Sequence, residues 1–222
     1  MAVDKLLRTR RYVQRLYQIL RRAHVAYFIL RGYEDFNDGR DGYPIGKDSR
    51  DTQMMLLAHR EVFASLNDAL YLDIHIQLAK LLLPYRGSLN IESSIKYADT
   101  HGREILKMQD TDWFRSEIES FALWVSAIPP CDIARKDDLY RQSRRLIDKL
   151  KVARDNNLAH ETKSESSHDL LTLDEIEKLI EMAKESIHII ERGYSGHDYD
   201  GYRLEWARSD TARILTSLLD NY

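Results

Sequence analysis

The chain has 222 residues, 43% of them hydrophobic, which is enough to bury a core in one larger domain or two small ones. Charged residues make up 31%, while Gly and Pro number only nine and four, a balance that disfavours a β-rich or loop-rich fold and suits long helices with solvated faces. The lone Cys131 excludes an intrachain disulfide and fits a reducing compartment. No run of about 18 apolar residues could span a membrane, and the opening MAVDKLLRTRRYV lacks the apolar core of a signal peptide, so a soluble, cytoplasmic protein is expected.

The net charge of −3 is unevenly spread. Residues 1–33 hold eight Lys and Arg against Asp4 alone, a net of +7, which leaves −10 for the rest of the chain. A second basic cluster runs through Arg135, Lys136, Arg141, Arg144, Arg145, Lys149, Lys151 and Arg154. Segregation of this kind creates a local phosphate-attracting field on a mildly acidic protein, although Arg-rich helices also arise simply as solvated faces.

In chain order, the first predicted helix covers about residues 4–31. Leu6, Val13, Leu20 and Tyr27 repeat every seven residues, with Leu16, Ala23 and Leu30 at the other seam position, which gives a core-facing stripe. Residues 32–50, GYEDFNDGRDGYPIGKDSR, read as a turn-rich loop. The alternation of Asp35, Asn37, Gly39 and Asp41 partly resembles a calcium loop, but the required Gly and the distal Glu are missing. A second helix is expected over about 51–83, ended by Pro84 and Gly87. Its stretch VFASLNDALYLDIHIQLAKLLL is apolar on more than one side, which marks it as the most buried helix, with His59 and His75 as hydrogen-bonded core or boundary residues. No HxxxH or HExxH pairing points to a metal.

A third helix over about 90–108 and a fourth over about 112–128 follow, the latter stopped by Pro129 and Pro130. The fifth reaches about Leu158, with Leu139, Leu146, Leu150 and Ala153 as its core stripe. After the polar ETKSESSHD, Thr172-Leu-Asp-Glu175 forms a capping box that starts a sixth helix, to about Arg192. GYSGHDYDGY is another turn, and a last helix covers about 204–219. No segment alternates with period two long enough to demand a strand.

The most suggestive chemistry lies in ARDNNLAHE, residues 153–161. At about 100° per residue, Arg154, Lys151 and Ile147 share one side of the fifth helix, with Arg144 about 80° away. Arg154 and His160 would diverge by about 120° on an unbroken helix, so they converge only if it ends or bends among residues 156–159. Asn156 and Asn157 suit such an ending. A His can accept the proton of an RNA 2′-hydroxyl or donate one to the leaving 5′-oxygen. An Arg offers a planar cationic fork to the charge gathering on the phosphoryl oxygens. The scheme requires neither a metal nor another cofactor. By itself, an Arg and a His six apart also fit a surface ion pair and a helix-terminal histidine.

RDNNLAH resembles the Arg-x(4–6)-His motif of the HEPN superfamily, in which a polar residue, here Asp155, follows the Arg. The LAH ending, the polar loop and LLTLDEIEKLIEMAKESIHII are similar to the abortive-infection AbiU-type branch. So is the upstream ALYLDIHIQLAKLLL followed by RGSLNIESSI. The resemblance covers about residues 61–219, leaving the first helix and the Gly/Asp loop without a recognised motif. It implies an all-α, HEPN-like bundle of about six to seven helices, here a single domain over 1–222. Residues 1–50 would be the amino-terminal helix and loop, and residues 51–222 the bundle carrying the motif. It further implies a homodimer whose two motifs meet in one composite cleft, with RNA as substrate, and a toxin or phage-defence effector that an antitoxin protein would restrain.

Carried over by position, Arg154 and His160 are the catalytic pair and Asp155 the supporting residue, which should orient one of the two. Arg144, Lys151, Asn156 and Asn157 are the expected nucleic-acid contacts. The leading expectation is a metal-independent endoribonuclease. The alternatives are a non-catalytic helical module that binds RNA, nucleotide or a protein through the same cleft, and a protein whose helices only dimerise. Tyr140, Tyr194, Tyr199 and Tyr202 lie at or near loops, but with 13 tyrosines in the chain packing accounts for most of them, and none is assigned to substrate.

Overall fold

The computed structural model describes residues 2–38, 58–83, 89–101, 137–155 and 170–195, together with residues 210, 211, 213, 214 and 217. Every element among them is helical, and no strand occurs among the described residues, so the expected all-α class holds. The elements are α1 (Ala2–Asp38), α2 (Arg60–Leu82), α3 (Ile91–Thr100), α4 (Asp137–Ala153) and α5 (Leu173–Ser195). The five scattered residues at 210–217 are helical as well. The expected helix over 112–128 lies outside the described residues.

The chain divides into two compact units, Met1–Arg21 with His75–Gly201, and Arg22–Ile74 with Tyr202–Tyr222. In the first unit, α5 packs against α3 and α4. It buries two adjacent stripes: Leu173, Ile176, Leu179, Ala183, Ile187 and Ile190 on one, and Met182, Ser186 and Ile189 on the other. Residues 3–4 apart align on one helix face, so two stripes give an apolar surface wide enough to meet two neighbours. α1 contributes Val13, Leu16 and Leu20 to the same unit, and the Tyr17 hydroxyl donates to Glu191 Oε2 at 2.8 Å, tying α1 to α5. From α4, Leu146, Leu150 and Ala153 are buried, as the stripe predicts, and Ile147 joins them.

In the second unit, Ala23, Tyr27 and Leu30 continue the α1 stripe into the buried interior. α1 runs seven residues past the predicted end at Arg31. A Gly inside a helix costs only about 1 kcal/mol against Ala, and contacts of its neighbours, one local and one to α2, offset that at Gly32. Arg31 pairs with Glu34 at 2.9 Å, and the Tyr33 ring meets Phe63 of α2 at 5.5 Å. Asp35, placed by the sequence in a turn-rich loop, is a buried helical residue.

α2 corrects a second expectation. From Ile74 onward it is buried at most positions, but its first half is exposed, with Val62 at 65% and Leu66 at 46%. Apolar composition states which faces can be covered, and tertiary packing decides which are. The helix stops at Leu82, and Pro84 explains the stop, because a residue preceding proline is pushed out of the helical region. The chain restarts at Asn90, which caps α3 reciprocally. The Ser93 N–H donates to Asn90 Oδ1 at 2.7 Å, and the Asn90 N–H donates to Ser93 Oγ at 3.0 Å. Asn90 Nδ2 also donates to the Leu83 carbonyl at 3.2 Å, satisfying an acceptor at the end of the preceding helix.

Candidate functional site

Leu150 and Ala153, at 0% and 1% exposure, fix the last regular turn of α4 against the core. Immediately beyond, at Arg154 and Asp155, the helix widens into a π-type turn. Single π turns inside or at the ends of α-helices occur often at functional sites. Adjacent residues on a regular helix do not face each other, yet here they pair. Arg154 Nε donates to Asp155 Oδ1 at 2.8 Å, and Arg154 Nη2 approaches the same oxygen at 2.6 Å. The guanidinium remains partly open, with 29% of the side chain exposed. A guanidinium has five N–H donors in a fixed fork, so this pairing leaves donors for an anion.

Asp155 thus pairs with Arg154. His160, Asn156 and Asn157 lie outside the described residues, so the meeting of Arg154 with His160 is not part of the observed geometry. The described residues on either side of that segment each make defined contacts. At the far end, the Leu171 N–H donates to His75 Nε2 at 3.3 Å, and His75 is 2% exposed, which makes it the hydrogen-bonded core histidine expected of it. Accepting at Nε2 places its own proton on Nδ1.

The predicted capping box is present. The Thr172 N–H donates to Glu175 Oε2 at 2.8 Å, and the Glu175 N–H donates to Thr172 Oγ1 at 3.2 Å. Lys149 of α4 adds a 2.6 Å ion pair to the same Oε2. Burial pushes the Glu175 carboxyl up, but the Lys149 and Thr172 hydrogen bonds together outweigh it and hold the group below the usual carboxylate range.

The basic edge of α4 is more neutralised than its composition suggests. Arg144 pairs with Asp148 at 3.3 Å, Lys149 with Glu175 and Arg154 with Asp155. Lys151 and Arg145 are exposed and pair with no carboxylate among the described residues. No group of three or more His, Cys, Asp or Glu is gathered as a metal cage among the described residues. No helix among them is long and apolar enough to cross a membrane. The side chains of Leu139, Tyr140 and Tyr194, and residues Tyr199 and Tyr202, lie outside the described residues.

The sequence reading missed a cluster in the first unit formed by Arg8, Tyr12, Tyr97 and His101. Its two i,i+4 pairs are visible as spacings, but nothing local in the sequence says that the two helices meet there.

The described helices and the end of α4 define an all-helical protein in which a partly open guanidinium, paired with its neighbouring carboxylate, stands just past α4. The chain belongs to the AbiU2 branch of the HEPN proteins, since the HEPN_AbiU2 family model, described as AbiU2, matches residues 9–211. That match begins inside α1, at residue 9, so most of the basic first helix, which carries no motif recognised from sequence, lies within the matched residues, while Arg8 stands just before them. No curated protein and no solved structure matches the chain.

Proposed function

We propose that this protein is a metal-independent endoribonuclease of the HEPN type, acting as a toxin or phage-defence effector. The observation that carries the reading is Arg154 itself. It sits at the widened end of α4, held by Asp155, still partly open, and six residues before His160. In this role Arg154 stabilises the charge developing on the phosphoryl group. His160 exchanges protons with the attacking 2′-hydroxyl or the leaving 5′-oxygen. Asp155 orients the guanidinium, and Lys151, Arg144, Asn156 and Asn157 draw in the RNA backbone. One Arg/His pair supplies half of an acid–base site, so a two-fold homodimer that sets a second pair opposite completes it. A light-scattering mass of a single chain at micromolar concentration would refute that assembly.

A second reading, an RNA- or nucleotide-binding module without catalysis, draws support from the same bond. A guanidinium neutralised by its neighbour could bind an anion and do nothing more. The deciding experiment incubates RNA with the protein in EDTA, beside Arg154→Ala and His160→Ala. Cleavage should persist in EDTA and give a 2′,3′-cyclic phosphate and a free 5′-hydroxyl. Each variant should lose about 10²–10³-fold or more in rate while remaining folded. Products bearing 5′-phosphates, a divalent-metal requirement, or a His160→Ala protein as fast as wild type would sink the catalytic reading. The RNA target and any antitoxin partner are read from RNA ends after brief induced expression and from proteins that co-purify.

A further inference from the structure

The amino-terminal half of α1 carries a feature that the motif does not use. Arg8 lies over the Tyr12 ring at 5.4 Å and over the Tyr97 ring of α3 at 5.0 Å, and its Nε donates to the Tyr12 hydroxyl at 2.6 Å. Tyr12 meets Tyr97 edge-on at 5.4 Å, and His101 meets Tyr97 edge-on at 4.7 Å. The three rings are half-buried, whereas Arg8 is exposed. Its guanidinium plane is therefore backed by tyrosines on one side and open to solvent on the other.

Along α1 the charge is one-sided. Asp4, one turn before Arg8, is the last acid of the helix until Glu34. Arg11 and Arg15 are exposed and pair with no carboxylate among the described residues. On a helix, Arg15 returns to within about 20° of Arg8 two turns on, with Arg11 about 60° to one side. Arg8, Arg11 and Arg15 thus form a single stripe about 10 Å long. Exposed cation–π contacts also join helices, but this one leaves its cation with an open face and no ion pair among the described residues. Immobilised guanidinium and aromatic planes beside a cationic track are what single-stranded nucleic acid uses, bases stacking on the planes and phosphates lying along the track.

We propose that Arg8, backed by Tyr12 and Tyr97, is a base-stacking platform, and that Arg11 and Arg15 continue it as a phosphate track, together forming a docking site for single-stranded RNA. The inference rests on RNA being the ligand of this protein, as the functional reading has it, but not on cleavage. The site would hold substrate at a place distinct from the Arg154 motif.

The test is fluorescence anisotropy on the full chain with a labelled, 2′-O-methylated oligouridine of about 12 nucleotides. Such a probe cannot be cut by 2′-hydroxyl attack. Arg8→Lys keeps the charge but removes the plane, so it should bind about 5-fold or more weakly with an unchanged salt slope. Arg11→Gln with Arg15→Gln should weaken binding and flatten the plot of log K against log salt by about 1.4, since each single-strand phosphate contact contributes about 0.7. Both sets of changes fall on exposed positions, and thermal melts confirm the fold. Duplex RNA, whose bases are already stacked, should bind less well than the single strand, and Arg8→Lys should erase that preference.

Wild-type affinity and slope in both variants overturn the proposal, as does an affinity lost only with Arg154→Ala. Unchanged RNA binding with a changed light-scattering mass overturns it in favour of a protein-contact surface. If variant-sensitive binding is found without any cleavage of unmodified RNA, the docking site stands and the nuclease reading falls. If cleavage is found with an Arg8→Lys protein that binds like wild type, the reverse holds.

Discussion

Replacing Glu175 by Ala breaks two bonds that meet on one oxygen. The first is the capping interaction with the Thr172 N–H at 2.8 Å, and loss of a helix-capping partner costs about 1 kcal/mol. The second is the 2.6 Å pair with Lys149, whose partners are 27% and 24% exposed. That degree of burial puts the pair near the upper end of the range for surface ion pairs, about 1 kcal/mol. Together they give about 2 kcal/mol, or about 4–8 °C in the melting temperature of a chain this size. Glu175→Gln keeps an acceptor for the cap and loses only the charge, so about half that shift is expected. A cycle with Lys149→Met isolates the pair itself and should show coupling of about 0.5–1 kcal/mol.

The pH dependence has a fixed sign. The folded-state pKa of Glu175 lies below the unfolded one, so its contribution is complete above the ordinary carboxylate value and is lost as pH falls through the depressed folded value. The melting-temperature gap between wild type and Glu175→Gln should therefore be widest near neutrality and close as pH falls below the ordinary carboxylate range. Calorimetric melts across that range are the assay. A gap under about 1 °C for Glu175→Ala, or one that widens in acid, refutes the assignment of both bonds to this oxygen.

Glu191 should behave in the opposite sense. Burial raises its pKa, only partly opposed by the Tyr17 hydrogen bond and by His188, so the folded state holds the proton longer and stability falls as pH rises above the ordinary carboxylate value. Glu191→Gln should remove that fall, which melts at pH 4 through 8 will show. At the basic edge of α4, Lys151→Ala should weaken RNA binding more than Arg144→Ala, because Arg144 already has Asp148 at 3.3 Å. Both effects should shrink as salt rises, and equal, salt-independent losses would count against a phosphate role.

Local rules were legible wherever a few neighbouring residues suffice. The seven-residue stripe of α1 placed Val13, Leu16, Leu20, Ala23, Tyr27 and Leu30 in the interior, where they lie. The Thr172/Glu175 box started α5 at the residue expected. The Asn90/Ser93 box went unread because its side chains, Asn and Ser in place of Ser/Thr and Glu/Gln, lie outside the usual pattern. The continuation of α1 past Gly32 and the exposure of the first half of α2 were hidden for another reason. Both depend on partners distant in sequence, Phe63 against Tyr33 in the first case and the neighbours of each α2 turn in the second.

The candidate site divides along the same line. Residue types gave Arg154, the family resemblance added Asp155, and helix periodicity required the chain to leave regular winding before His160 could approach. The observed winding changes at Arg154 itself, two residues earlier than the Asn pair suggested. Leu150 and Ala153 fix the turn below, so the wider turn falls on the two residues that carry the charge, and the i,i+1 pair forms because the regular helix has ended there. An oxygen shared by Nε and Nη2 aligns the guanidinium without enclosing it. This is the condition an arginine must meet to be preorganised for a phosphate and still reachable by one.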